Sequence, residues 1–259
     1  MGNPDPLKPP RFLYRYRPLN DYSLQEIALN SVYACPLTKL NDDEEGTFSV
    51  EKSNPTVLRG QLTERAVADG EIESALLIRC LPDEWIVEIE KEALTIGTDH
   101  LDARGKWGVV CFTERFDNIQ MWARYADDDR GCVIEYDLER CSVPILPQAL
   151  WKVTYGETRG STSLSKILDT SNAGMFSEVL SVKGSRWAYE EEWRLLVDTT
   201  GAGRLAIPIS RVITGINMPN SDKNRVVHAI LKHGTARFAE MYADNGSEGK
   251  RLVHDLAGR

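Results

Sequence analysis

Trp187-Ala188-Tyr189-Glu190-Glu191-Glu192-Trp193-Arg194-Leu195-Leu196-Val197 is the stretch on which the fold turns, because acidic residues run straight into an aromatic, apolar segment. If the chain is extended from Glu190 onward, period two puts Glu190, Glu192, Arg194 and Leu196 on one face. Glu191, Trp193, Leu195 and Val197 then share the other, so that one face is buried and the other presents two carboxylates and a guanidinium. Three adjacent glutamates repel one another, and a fold that gathers them needs a cation or a function to offset the cost. The same residues also fit a helix, in which Glu190 and Arg194 make an ordinary i,i+4 surface pair. Periodicity alone leaves the two readings open.

Working outward, the alternating aromatic run Phe12-Leu13-Tyr14-Arg15-Tyr16-Arg17 predicts a strand stopped by Pro18. Asn20 or Asp21 caps a helix through about Leu29, a short strand follows over Val32 to Cys35, and Leu40 to Gly46 is an acidic loop. Residues 56–94 carry helical spacing in two stretches, punctuated by Gly70 and restarted at Pro82-Asp83-Glu84. Trp107 to Thr113 reads as a buried strand, Asp117 as the cap of a short helix through Met121, Trp122 and Tyr125, and Cys132 to Tyr136 as the next strand. Asp127-Asp128-Asp129 lacks the spacing of a calcium loop and reads as a solvated turn.

Further strands are expected over Trp151 to Tyr155, Leu205 to Ile207 and Val212 to Gly215, with a loop at Gly160 to Ser165, a helix over 173–182 and a turn at Gly201-Ala202-Gly203. A last helical region starts near Asp222, is interrupted at Gly234, and continues its spacing through Phe238 and Met241. The expected organisation is a loose tail over residues 1–10 and a single α+β domain over 11–259.

The chain has 259 residues, a formal net charge of −8 and 42% hydrophobic content, which is an ordinary globular mix. The acidic balance argues against broad binding to nucleic acid or an anionic membrane. The N-terminus has no apolar leader, no stretch is long and apolar enough to span a membrane, and the five scattered cysteines form no Cys-x-x-Cys pair. Together these predict a cytoplasmic protein with reduced thiols. The four histidines have no metal-ligand spacing. P-loop, Gly-x-Gly-x-x-Gly, His-Glu-x-x-His and Gly-x-Ser-x-Gly motifs are all absent from the sequence.

What remains is carboxylate, arginine and aromatic chemistry in three places: Tyr14 to Arg17; Phe112-Thr113-Glu114 with Met121 to Tyr125; and Tyr189 to Arg194. Each by itself is also explained by cation–π or packing pairs. In this order they resemble the bacterial family called domain of unknown function 2971. The residues that carry the resemblance are Leu13-Tyr14-Arg15-Tyr16-Arg17-Pro18-Leu19, Asn41-Asp42, Cys111-Phe112-Thr113, Met121 to Gly131 and Lys183 through Arg194. The loop departs from that pattern, continuing Asp43-Glu44-Glu45 where Pro-Phe-Glu is expected.

The order of parts is also similar to that of ADP-ribosyltransferases, which implies a mixed, antiparallel-rich sheet core with flanking helices and NAD as substrate. On that resemblance Arg15 contacts the NAD pyrophosphate. Phe112 and Thr113, with Tyr16, Trp122, Tyr125 and Arg194, shape the cofactor site. Glu192 is the catalytic carboxylate and Glu190 orients or deprotonates the acceptor. The chemistry is coherent: breaking the nicotinamide–ribose bond passes through an oxocarbenium-like state that a carboxylate stabilises, and an arginine fork matches phosphate oxygens. The implied role is a toxin or anti-phage effector that modifies a macromolecular acceptor, protein or nucleic acid.

Two other readings stand beside it. One is a non-catalytic nucleotide-binding or sensing module, in which Glu190, Glu192 and Arg194 form a structural ion-pair cluster with Arg15 or Lys183. The other is a metal-dependent nuclease using Asp42, Glu190 and Glu192. The transferase assignment carries a geometric condition: the side chains of Arg15, Thr113 and Glu192 must converge, and it fails if they face different sides of the sheet.

Overall fold

Alternation along Phe12–Arg17 makes the first strand, β1, and Asn20 ends the turn after it by capping helix α1, Asp21–Ala28. The Asn20 side chain accepts from the Ser23 backbone N–H and the Ser23 hydroxyl accepts from the Asn20 N–H, a reciprocal capping box. In this computed structural model the described residues are 9–36, 49–102, 107–141, 150–156, 161–165, 181–198, 204–232, 234, 236–243 and 251–256. The Asn41-Asp42 loop, residues 173–180 of the expected helix and the 201–203 turn lie outside them.

Three short strands follow α1: β2 (Val32–Tyr33), β3 (Cys35–Pro36) and β4 (Ser49–Val50). Helices α2 (Pro55–Ala68), α3 (Ile72–Cys80) and α4 (Asp83–Asp102) come next, with Gly70 at φ 83° between the first two. Then come β5 (Trp107–Thr113), α5 (Ile119–Tyr125), β6 (Cys132–Asp137), β7 (Leu150–Lys152), β8 (Thr154–Gly156), β9 (Ser161–Thr162) and β10 (Val182–Gly184). The chain continues with β11 (Glu192–Asp198), β12 (Arg204–Leu205), β13 (Ile209–Thr214), α6 (Asn220–Leu231), β14 (Arg237–Ala243) and β15 (Arg251–Leu256). The result is a mixed α+β fold.

The chain separates into two compact units, the first made of Met1–Cys35, Gly108–Val153 and Arg186–Arg259, the second of Pro36–Trp107 and Thr154–Ser185. In the second unit, Leu58, Ile86 and Leu164 form the core of the α2–α4 bundle. Buried Glu90 accepts there from the Ser53 backbone N–H at 2.9 Å and the Ser53 hydroxyl at 2.5 Å.

The first unit is built on a sheet with the order β15-β14-β13-β6-β1-β5-β11-β7. Its β13–β14 pair is parallel; β1–β5, β1–β6, β6–β13, β7–β11 and β14–β15 are antiparallel. A parallel neighbour needs a crossover, and α6 supplies it between β13 and β14. Residues 237–243 are therefore strand and not the continued helix that Phe238 and Met241 suggested. Buried Ala239 and Met241 alternate with the more accessible Glu240 and Tyr242, the period of a strand. The expected strand over 151–155 is likewise split at Val153, its halves pairing with β11 and β10.

Two apolar layers cover the sheet. Leu13, Phe112, Ile134, Tyr136, Trp193 and Leu195 pack with Ile27 of α1 and Val226 of α6. Tyr14, Tyr16, Val133 and Ile213 pack on the opposite side with Met121 and Trp122 of α5. Behind α5 the chain passes through Asp127, Asp128 and Asp129 with φ of 50°, 49° and 66°, a left-handed run that short Asp side chains tolerate. Asp127 accepts both fork bonds of Arg130, at 2.9 and 3.0 Å. Gly131 and Gly215 close this turn: a Cβ on Gly131 would lie 2.2 Å from the Arg17 carbonyl oxygen, and one on Gly215 2.0 Å from that of Asp129.

Candidate functional site

Ser185–Glu190 forms a short 3₁₀ helix, and Glu191 at φ 45° turns the chain into β11. The stretch is thus neither wholly extended nor an α-helix. Glu190 closes the 3₁₀ turn, and Glu192 opens the strand. Because Trp193 and Leu195 belong to the layer under α1, alternation sends Glu192, Arg194 and Leu196 to the α5 side. Glu191 points elsewhere and lies 3.7 Å from Arg115.

Glu190, Glu192 and Arg194 are 3%, 4% and 1% exposed. Arg194 donates to Glu192 through Nε to Oε1 at 2.9 Å and through Nη2 to Oε2 at 3.0 Å, a bidentate pair two residues apart on one strand face. The stretch is not the α-helix that an i,i+4 surface pair requires, and the Tyr125 hydroxyl donates to Glu190 Oε1 at 2.6 Å. Asn118, not Asp117, caps α5, its side chain accepting from the Gln120 and Met121 N–H groups. Asn118 Nδ2 also donates to the Tyr189 carbonyl at 2.6 Å, so the cap ties α5 to the 3₁₀ turn. Asp117 is taken by Arg115, at 2.9 and 3.1 Å.

Thr113 lies on the α5 side, opposite Tyr14 in the β1–β5 register, and its hydroxyl accepts from the Arg115 N–H at 3.2 Å. β5 and β11 are sheet neighbours, and the Glu114 N–H donates to the Glu191 carbonyl at 3.4 Å. Burial raises the Glu114 carboxyl, but hydrogen bonds from Lys152 and the Trp193 indole, each 2.7 Å, outweigh it and leave the pKa below the ordinary value. Tyr16 accepts from the Asn118 N–H at 3.1 Å and meets Trp122 edge-on at 5.4 Å. The two aromatic-rich motifs and the acidic motif therefore do meet on one face.

Several assignments change. Arg15 is on the α1 side, where its guanidinium donates to Glu26 Oε1 at 2.6 Å. Glu26, buried on α1, also accepts from the Tyr136 hydroxyl at 2.5 Å and lies 3.3 Å from Arg17. A buried carboxylate needs this compensation, so Arg15 is a structural partner of Glu26 and is separated by the sheet from Thr113 and Glu192. Phe112 is on the α1 side too, packed edge-on against Tyr136 at 5.4 Å. Trp122 is fully buried, its indole N–H donating to the Phe116 carbonyl at 2.7 Å, which makes it a core residue with no open ring face. The condition on Arg15, Thr113 and Glu192 is not met.

Residues that lie within the quoted motifs but carry no expected site role complete the face. Arg124 lies over Trp187, 4.3 Å from its ring centroid, and 5.8 Å from the Tyr125 ring; Arg186 lies 5.4 Å from the same Trp187 ring. Among the described residues, no group of three or more His, Cys, Asp and Glu is placed to hold a metal ion, and no helix is long and apolar enough to cross a membrane.

Residues 121–195 match the family described as Protein of unknown function (DUF2971). That interval begins in α5 and ends in β11, and so contains both halves joined by the Tyr125–Glu190 bond. No curated protein and no solved structure matches the chain.

Proposed function

We propose that this chain, with its DUF2971 segment, is a non-catalytic nucleotide-binding or sensing module whose site lies on the α5 side of the sheet. The observation that carries the reading is the buried, bidentate Arg194–Glu192 pair. A carboxylate engaged on both oxygens by a guanidinium has its charge compensated and one acceptor position on each oxygen filled. It braces the start of β11 better than it serves a reacting ribose. The placement of Arg15 across the sheet supports the same conclusion, because the cation expected to hold the NAD pyrophosphate belongs to the α1 layer.

A second reading keeps the ADP-ribosyltransferase chemistry in reduced form, with NAD as substrate and a macromolecular acceptor. It is favoured by one observation: Thr113, Glu190 and Glu192 share one face, with Tyr125 on Glu190. In that mechanism Glu192 would leave Arg194 to stabilise the oxocarbenium-like state, and Glu190 would activate the acceptor.

The separating experiment is incubation with NAD, with nicotinamide release and melting temperature measured for wild type and Glu192→Gln. The binding reading expects no turnover and a marked loss of stability in the variant. Turnover by wild type, lost in a variant that melts normally, would establish the transferase instead.

A further inference from the structure

Arg124 is exposed at the end of α5, and its guanidinium makes ring contacts with Trp187 and Tyr125 and no ion pair among the described residues. Other arginines of this unit are spoken for: Arg11 by Asp137, Arg15 by Glu26, Arg115 by Asp117, Arg130 by Asp127, Arg194 by Glu192 and Arg211 by Glu135. A guanidinium laid on an indole face loses side-chain freedom before any ligand arrives, while its in-plane N–H donors stay open. That is a preorganised receptor for a planar or tetrahedral oxyanion. A second cation, Arg186, shares the same ring.

The acidic residues next to it do not defeat this. Glu192 is compensated by Arg194, Glu190 accepts from Tyr125, and Glu191 is near Arg115. The Arg124 guanidinium also lies 5.8 Å from the centroid of the half-buried Tyr125 ring, so a ligand held at Arg124 meets aromatic surface as well as charge. The chain's net charge of −8 works against a long polyanion.

We infer that Arg124, seated on Trp187, is the phosphate-recognising residue of the α5 face, and that the ligand is a small molecule of the nucleoside diphosphate class. This rests on the reading of that face as a binding site. Binding of three small probes, ADP-ribose, inorganic pyrophosphate and adenosine, and of a short single-stranded DNA is measured by calorimetry for wild type, Arg124→Ala and Arg124→Lys.

The expected result is that Arg124→Ala weakens ADP-ribose and pyrophosphate by about tenfold or more, leaves adenosine unchanged, and melts like wild type. Arg124→Lys keeps the charge but not the planar stack and falls between them. Equal ADP-ribose affinity in wild type and Arg124→Ala overturns the inference but leaves the binding face standing. Wild type that binds none of the three probes overturns both the inference and the reading beneath it. Tighter binding of single-stranded DNA than of ADP-ribose, lost in Arg124→Ala, assigns the residue to a nucleic acid and overturns the small-molecule class.

Discussion

Arg194 and Glu192 point the same way from β11 and close a two-bond ring at 2.9 and 3.0 Å in a part of the molecule that excludes solvent. Removing one member of such a pair strands a buried charge, which costs far more than a surface ion pair returns. Glu192→Gln should therefore lose about 3 kcal/mol or more, a fall on the order of 10 °C in Tm for a chain of this size. Glu191→Gln, at a partly exposed position, should stay within about 0.5 kcal/mol of wild type. Thermal unfolding of both variants checks this, and equal Tm values would remove the bracing role of Glu192.

Glu26 makes the matching case on the other side of the sheet. Glu26→Gln leaves Arg15 and Arg17 with an uncompensated buried charge and should destabilise by about 3 kcal/mol. Arg15→Ala should also melt early yet bind ADP-ribose as wild type does once folded. A selective loss of ADP-ribose affinity in Arg15→Ala would return that residue to the ligand site.

Thiol reactivity tests the sheet core. Burial pushes the Cys132 thiol up to about 12, whereas Cys80 on α3 is exposed. At pH 8 a disulfide reagent should label Cys80 within minutes and Cys132 only after denaturation, since the thiolate is the nucleophile. Mass spectrometry of the labelled peptides reads the outcome, and early modification of Cys132 would contradict the packing of β6.

The hydrogen bonds from Arg11 hold the Asp137 carboxyl below its ordinary range. A depressed folded-state pKa contributes stability that is present above the unfolded value, about 3.9, and is lost as pH falls through the folded value. Arg11→Met should thus be less stable than wild type at pH 7, with the gap closing in acid. A gap that stays constant from pH 7 to pH 2 would show that Asp137 does not titrate in this way.

Gly215→Ala tests the turn behind α5. The added Cβ would fall 2.0 Å from the Asp129 carbonyl oxygen, so the left-handed Asp run must move. Loss of about 2 kcal/mol or more is expected, against almost none for Gly60→Ala on α2, where nothing lies within 4 Å. Urea unfolding of the two variants makes the comparison.

Local signals were legible wherever one residue type sets the backbone. Asn20 with Ser23 marks the start of α1, Pro18 ends β1, and Gly70 separates α2 from α3. The 12–17 and 107–113 strands follow from alternation and apolar runs. The meeting of Met121–Tyr125 with Tyr189–Arg194 was also foreshadowed by the order of motifs, and the Tyr125–Glu190 bond is its physical form. Phe238 and Met241 misled because residues three apart share one face of a helix, whereas in a strand they point to opposite faces, and here both faces are covered; parallel pairing with β13 decided it.

By itself the sequence determined which residues carry charge and aromatic surface, where several strands begin, and that Glu192, Trp193 and Arg194 alternate between two faces if the chain there is extended. Only the tertiary structure decided which side of the sheet each strand turns outward, since a period of two names two faces without saying what covers either. That choice pairs Arg15 with Glu26 under α1, Arg194 with Glu192 on the α5 side, and leaves Arg124 on Trp187 with its donors open.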